Sequence, residues 1–328
     1  MRAFEYASPT TKEEAVHLLA GSTGDILPLA GGTDLISLMK DDVVAPGRLV
    51  SLKSITEMKG VEFLDGTGLR IGAVTSLREL AAHAEVTSRY PSLVQAVDGV
   101  RSMQLQAMGT VGGELLQRPR CWYYRAGFGL LALKKGTSRV LDGDNRYHAI
   151  LGNEGPAYFV HPSSLAPALI ALGATVRIVG SDGEREVALE DLYRTPVQEG
   201  EREAALEWSE IVTDILIPDP GAARNATYEV RQREALDWPL AAAAVALRID
   251  GGTIRSARVV LGHVAPTPIV ASAAGAALEG QPFGEEAAEK AGAAAVEGAR
   301  ALSDNGYKIQ LAKVAVKRAI LRAGGVEV

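Results

Sequence analysis

Ile26-Leu27-Pro28-Leu29-Ala30-Gly31-Gly32-Thr33-Asp34-Leu35-Ile36-Ser37-Leu38-Met39 reads as a strand, a glycine turn and a helix. The apolar run stops at Gly31-Gly32, and after Thr33 the apolar spacing changes to the helical period. Glycine at such a turn has no Cβ to hold an anion away from the backbone N–H groups. Thr33 adds a hydroxyl donor, and the start of a helix adds partial positive charge. The stretch matches neither GxGxxG nor the P-loop, and Gly-Lys followed by Ser or Thr does not occur in the chain, so the common mononucleotide motifs are absent. Taken alone, it also reads as a tight turn before a capped helix.

Working outward, Phe4 to Tyr6 reads as a short strand, and Ser8-Pro9-Thr10-Thr11-Lys12-Glu13-Glu14 as a helix start with a Thr cap and acidic first-turn residues. Arg48 to Leu52 and Leu69 to Ala73 look like strands, and Ser76 to Ala84 carries a capped helix. Residues Val111 to His161 are irregular. Leu165 to Leu172 reads as a helix, and Ala174 to Val179 and Glu210 to Ile217 as strands. Pro218-Asp219-Pro220-Gly221 is the densest breaker cluster and marks a domain boundary. Beyond it, Ala226 to Arg231 reads as a strand, Pro239 to Ile249 as an alanine-rich strand or helix, and Ile254 to Leu261 as a strand. Glu285 to Leu302 and Tyr307 to Ala323 read as helices. The alternation of elements places the chain among α+β or α/β folds.

The 328 residues carry 34 Lys and Arg against 40 Asp and Glu, a formal net charge of −6 with no basic stripe of the kind nucleic-acid binding requires. An apolar fraction of 47% is ordinary for a globular protein, and the length suits two or three domains. The longest uncharged stretch, Gly155 to Val176, is broken by Pro162 and Pro167 and is not a membrane span. The first residues lack an apolar h-region, so a cytoplasmic location is expected, with periplasmic co-export on a signal-bearing partner as the alternative. Cys121 is the single cysteine. It can make no internal disulfide and, alone, no iron–sulfur cluster.

A second glycine pair lies in Gly109-Thr110-Val111-Gly112-Gly113, and two such loops could grip a pyrophosphate from opposite sides. Together, Leu29-Ala30-Gly31-Gly32-Thr33-Asp34-Leu35 and Thr110-Val111-Gly112-Gly113 resemble the flavoprotein (medium) subunit of molybdenum-containing hydroxylases, the family of carbon monoxide dehydrogenase, xanthine dehydrogenase and aldehyde oxidoreductases. The likeness continues through Gly72-Ala73-Val74-Thr75, His161-Pro162-Ser163-Ser164-Leu165 and Tyr307-Lys308-Ile309-Gln310-Leu311, and so spans nearly the whole chain. Leu115 to Arg125 and Gly143 to Ile150 resemble the periplasmic aldehyde oxidoreductase branch, whose flavin subunit carries an extra four-iron cluster here.

The resemblance implies an α+β fold: a p-cresol methylhydroxylase-type FAD-binding domain over residues 1–218, then a small α+β C-terminal domain over 222–328. The first domain would have subdomains of about 1–55 and 56–218 and an insertion at about 117–158. The implied cofactor is FAD, with Pro28, Leu29, Ala30, Gly31, Gly32, Thr33, Asp34, Leu35, Ala73, Gly109, Thr110, Gly113, Glu114, Ser164, Val212 and Glu229 around it. The implied partners are a molybdopterin-binding large subunit and a small subunit with two-iron clusters. FAD would pass electrons from those clusters to an external acceptor, with no catalytic acid or base and no metal ligand in this chain.

The sequence also departs from the family. Only Cys121 of the four cluster cysteines is present, and Ala132, Val140 and Ala157 stand about where the others fall, which implies a retained insertion without a cluster. Glu114 replaces an Asn, Ser164 an Asp and Glu229 a Lys. An added carboxylate near a pyrophosphate weakens binding unless it is protonated or turned away. These changes keep a flavin-free structural subunit open as a second reading, and a stand-alone flavin oxidoreductase as a third. His148, His161 and Cys121 lack a short metal-ligand spacing and read as loop residues. Trp122, Tyr123 and Tyr124 read as cover for the insertion. Lys308, Lys313, Lys317, Arg318 and Arg322 give the last helix a basic side, solvated or used for docking.

Overall fold

The computed structural model describes residues 1–233 and 237–328. The first 55 residues build a small parallel sheet in which Arg48–Ser51 lies between Glu5–Ala7 and Ile26–Leu29. Pro28 is tolerated because its strand is at the sheet edge, where no ladder bond is lost. The Lys12–Leu19 helix packs Ala15, Val16 and Leu19 into the core. Its cap forms as the sequence predicts: Thr11 Oγ1 accepts from the Glu14 amide at 3.2 Å, and the Thr10 amide donates to Glu14 Oε2 at 2.9 Å.

A five-stranded antiparallel sheet follows, in spatial order Val61–Leu64, Gly68–Gly72, Ile211–Pro218, Thr175–Gly180 and Gly183–Ala188. Its central strand comes from the far end of the domain, so the loops carried on residues 73–174 are folded back over one sheet. Leu77–Ala82 begins at a full capping box between Ser76 and Glu79. Ile71, Val176 and Ile215 share a core with Val50 of the first sheet and with Leu52 just beyond it.

Arg224 begins an antiparallel sheet in order Arg224–Val230, Ala241–Asp250, Thr253–Gly262 and Ile269–Val270. The alanine-rich segment is a strand, not a helix. Ala244 joins the first core while Ala241, Ala243 and Val245 join the second, the two-residue alternation of a strand buried on both faces. Small side chains let that strand lie under Tyr307–Ala323 on one face and near Leu165–Ala171 on the other. At Gly262 an added Cβ would come within 2.7 Å of Pro167 Cγ, so this glycine lets the two domains meet.

Two expectations are corrected. The helix read over Glu285 to Leu302 stops at Ala294, because the chain beyond Gly298 (φ +79°) turns to bond the insertion instead. There the Arg300 amide donates to the Ile150 carbonyl at 2.7 Å, Asn153 Nδ2 donates to the Arg300 carbonyl at 2.8 Å, and Asn305 Nδ2 donates to the carbonyls of His148 and Ala149. The basic side of the last helix is also largely spent within the molecule. Lys308 is fully buried and donates to the carbonyls of Tyr147, His148 and His263 at 3.1, 3.1 and 2.8 Å. Lys317 pairs with Glu285 and Glu289, and Arg318 and Arg322 lie over the Tyr228 ring.

The insertion consists of a helical turn at Trp122–Arg125, a two-residue-strand hairpin of Leu133–Lys134 with Thr137–Ser138, and a second turn at Arg139–Asp142. Its own small core joins Leu131, Ala157 and Phe159 to Cys121, Leu130 and Leu133.

Candidate functional site

A cleft opens where the first sheet meets the second. Its larger part, about 190 Å3, is lined by Pro28, Ala30 to Leu35, Ala73, Thr110, Gly113 and Val212. A smaller part, about 110 Å3, shares Thr33, Asp34, Thr110 and Gly113 and adds Gly109, Glu114 and Ser164. The structure therefore gathers the two glycine loops, separated by some eighty residues of sequence, into one place. Leu29 and Glu229 are not on either wall. The Leu29 carbonyl accepts from the Leu52 amide at 2.9 Å, and Glu229 is turned toward Gly99 and ion-paired with Arg231 at 2.5 Å.

Glycine is required at the meeting of the loops for two separate reasons. A Cβ on Gly31 would come within 2.0 Å of the Met108 carbonyl oxygen, so the first loop can touch the second only without a side chain there. Gly32 has φ +72°, a left-handed conformation that costs other residues energy.

The two loops differ in what they offer. None of the backbone N–H groups of Gly31, Gly32, Thr33 and Asp34 meets an acceptor among the described residues. Most of the second loop's amides are already used: Gly109 donates to Leu105 O at 2.7 Å, Val111 to Thr75 O at 2.9 Å, Gly112 to Ala73 O at 2.8 Å and Gly113 to Thr110 Oγ1 at 3.1 Å, which leaves the Thr110 amide without an acceptor among the described residues. The symmetrical grip expected from two glycine pairs is thus corrected. The first loop holds most of the open donors, and the second forms a wall that offers the Thr110 amide and hydroxyl.

Asp34 turns its carboxylate away from the free amides and gathers the insertion. It accepts from the Arg118 amide at 2.8 Å, from Arg125 Nη2 at 2.8 Å, and pairs with Arg120 at 2.9 Å. Arg120 in turn stacks on Trp238, 4.4 Å from its ring centroid, at the edge of the smaller cavity. Arg118 is held by Glu203. The sequence reading missed this arrangement, although the run Arg118-Pro119-Arg120 to Arg125 signals a cluster that needs a carboxylate. It also missed Arg202, Leu206 and Trp208, which close the far end of the larger cavity; Trp208 packs under Arg202 at 4.0 Å. Their loop has no periodicity from which to read it.

Glu114 is buried, and burial pushes its carboxyl up to about 7 against the hydrogen bonds from Ser163, Ser164 and Leu165 that pull it down. Ser163 Oγ donates to Oε2 at 2.5 Å, the Ser164 amide to Oε1 at 2.7 Å, and Gln117 Nε2 to Oε1 at 3.2 Å. This carboxyl is engaged by the Ser163-Ser164 turn and is not left unpaired in the cleft. Of the three residues weighed as metal ligands, Cys121 and His148 are 3.2 Å apart, while His161 packs on Tyr193 with ring centroids 4.3 Å apart.

The fold is that of the flavin subunits of molybdenum hydroxylases. Residues 2–220 match the family described as the FAD binding domain in molybdopterin dehydrogenase, and residues 226–323 the CO dehydrogenase flavoprotein C-terminal domain. The chain belongs to this family of FAD-binding oxidoreductase subunits.

Among its relatives, the aldehyde oxidoreductase FAD-binding subunit PaoB of Escherichia coli is 32% identical over 95% of this chain and 96% of its own length. The carbon monoxide dehydrogenase medium chain of Afipia carboxidovorans is 31% identical over 98% of this chain and 96% of its own. The solved carbon monoxide dehydrogenase of Hydrogenophaga pseudoflava, in a form lacking the Mo-pyranopterin moiety, superposes with a TM-score of 0.78 at 27% identity, covering 99% of this chain and 98% of that one.

Proposed function

We propose that FAD lies in the cleft with its pyrophosphate on the Gly31–Asp34 loop, and that the chain relays electrons from a partner's iron–sulfur clusters to an external acceptor. The observation that carries this reading is the run of unpartnered amides at Gly31, Gly32, Thr33 and Asp34, beside the Thr110 hydroxyl. Gly31, Gly32 and Asp34 are half-buried, where an N–H with no acceptor is costly, Thr33 is exposed, and an anion is a ligand that meets several such donors at once. Ala30, Leu35, Ala73 and Val212 supply the apolar wall and Ser164 and Glu114 the polar floor. Bound FAD supplies the exchange between two-electron and one-electron chemistry. The chain's residues bind it, orient it and keep water out; none is assigned as an acid, base or nucleophile.

The partners in this reading are a molybdopterin-binding subunit and an iron–sulfur subunit. The relatives named above include the medium chain of a carbon monoxide dehydrogenase, which supports a multi-subunit setting. Docking falls on the rim of the cleft, where Met103, Met108 and Trp238 are exposed, and on the insertion, which exposes Phe128 and Leu141. The last helix carries less weight as a docking face, because Lys308, Lys317, Arg318 and Arg322 are engaged within the chain. A flavin-free role loses ground because the Glu114 carboxyl is satisfied by the Ser163-Ser164 turn.

The test is an absorbance spectrum and FAD titration of the purified chain, followed by co-expression with the neighbouring subunits and addition of an aldehyde. Flavin bands near roughly 450 nm and their bleaching in the complex are expected. A chain that takes up no FAD, or that oxidises a substrate by itself, overturns the reading.

A further inference from the structure

The start of the Leu165–Ala171 helix is served from across the cleft. Ser164 makes no side-chain cap of its own. Its amide donates to Glu114 Oε1 at 2.7 Å, and the Leu165 amide lies 3.4 Å from the same oxygen. The Ala166 amide donates to Ser163 Oγ at 2.9 Å, and that hydroxyl passes its proton's hydrogen bond to Glu114 Oε2 at 2.5 Å. Pro167 has no N–H to satisfy. One carboxyl, directly or through Ser163, thus accounts for every orphan amide of this turn. All the groups involved are buried.

Glu114 itself belongs to the short helix Val111–Leu115, which Thr110 caps and which carries Gly113 into both parts of the cleft. We propose that Glu114 is a positioning residue: its carboxyl clamps the Thr110–Leu115 wall to the Ser163-Ser164 turn and so sets how firmly the cleft retains FAD. Among the described residues the hydrogen bonds between these two segments all run to Glu114, since the Gly112 and Val111 amides bond the Ala73 to Thr75 loop instead; the rest of their contact is apolar, between Val111 and Leu115 on one side and Leu165 and Ala168 on the other. Because the requirement is for an acceptor at this turn rather than for position 114 as such, a carboxyl moved to 164 does part of the same work, reaching nearby amides from the helix side.

The inference rests on FAD being the ligand of the cleft, so the test reads both FAD affinity and the melting of the chain without FAD. Four proteins are compared: the natural chain, Glu114→Gln, Glu114→Ala, and Glu114→Ala with Ser164→Asp. Losing a charged or strongly polar acceptor is expected to weaken FAD about 10- to 100-fold in Glu114→Ala. Glu114→Gln, which keeps one acceptor oxygen, stays within about 5-fold of the natural chain. The double variant recovers affinity and melting temperature relative to Glu114→Ala, a rescue that simple loss of packing does not give. Affinity for Glu114→Ala within twofold of the natural chain overturns the proposal, as does a double variant no better than the single one. If Glu114→Ala fails to fold, the Gln variant and the double variant decide: both must fold and bind FAD. If the natural chain binds no FAD, the functional reading fails while the melting temperatures of the same variants still judge the clamp.

Discussion

The glycine cleft and the insertion beside it treat backbone polar groups in opposite ways. At Gly31 to Asp34 the amides have no acceptor among the described residues, although the loop is pressed against Met108 and Gly109. In the insertion, carbonyls of Tyr147, His148 and Ala149 are taken up by Lys308 and Asn305 from the C-terminal domain. On the reading proposed above, the first set of amides meets the cofactor, whereas these carbonyls are met by the chain itself. The contrast is one of backbone groups: the glycine loop leaves its amides open, while the insertion has its carbonyls taken up even though side-chain atoms such as Tyr124 OH and His148 Nδ1 stay buried without a partner. Asp34 sits at the border: its backbone N–H belongs to the first kind and its carboxylate, holding Arg118, Arg120 and Arg125, to the second.

The largest effect that separates the regions is expected at Gly31. Gly31→Val forces a side chain to within 2.0 Å of the Met108 carbonyl and must part the two loops. A loss of about 3 kcal/mol in chemical denaturation is expected, with FAD uptake abolished. The contrasting substitution is Gly136→Ala in the insertion hairpin, where an added Cβ meets nothing within 4 Å and only the positive φ of 83° resists, so FAD uptake stays intact. Equal loss of FAD in both variants would mean that the cleft does not depend on loop contact.

Next in size is the border itself. Asp34→Asn keeps the shape but removes the charge that gathers three guanidinium and amide groups, and about 2 kcal/mol of stability goes with it, partly screened because the site is not fully buried. Proteolysis should begin within residues 117–158. Unchanged proteolysis would show that the carbonyl contacts to Lys308 and Asn305 hold the insertion unaided.

How much of this was legible in the sequence follows the same division. Strand, turn and helix around Gly31-Gly32 could be read directly, because the change of period and the paired glycines are local signals. The α+β architecture and the flavin cofactor came from the resemblance. Partner choice was not legible: nothing local tells that Asp34 faces three arginines some ninety residues away, or that Lys308 leaves the basic side of its helix to be buried under carbonyls. The Ala241–Asp250 strand was ambiguous because alanine fits either element, and only burial on both faces decides. From sequence, Glu114 and Ser164 stand as separate departures from the family pattern, whereas in the structure the Ser164 amide donates to the Glu114 carboxyl.

A smaller effect is expected from pH on the cleft side. The Glu114 carboxyl is raised by burial to about 7, with Glu229 also opposing its ionisation and Arg120 and Tyr193 close enough to interact. His161, accepting from the Ser163 amide at 3.4 Å, is driven down to about 3 by burial and stays neutral. Between the ordinary glutamate value of 4.5 and about 7, the folded chain keeps a proton that the unfolded chain has released. Stability then falls as pH rises through that window and levels off above it. Thermal melts at pH 5 and pH 7.5 are expected to show this decline in the natural chain and a weaker one in Glu114→Gln. Identical slopes would assign the pH dependence to other groups.

The smallest expected effect sharpens the comparison from the insertion side. Cys121 is half-buried against the Leu131, Ala157 and Phe159 core, with its Sγ 3.2 Å from His148 Nε2. Burial raises the thiol above its ordinary value, so it remains protonated and acts as a small apolar group. Ala132, Val140 and Ala157 are buried apolar residues as well. Apolar contact at these positions gives the insertion a means of holding its shape through packing. Cys121→Ala removes only one sulfur from that core, so the expected cost is about 1 kcal/mol or less, with FAD uptake unchanged. Iron and acid-labile sulfide are expected to be negligible in both the natural chain and the variant after anaerobic purification, because one thiol cannot hold a four-iron cluster. Stoichiometric iron that disappears with Cys121 would place the insertion in the same class as the cleft, a region completed by something other than its own chain.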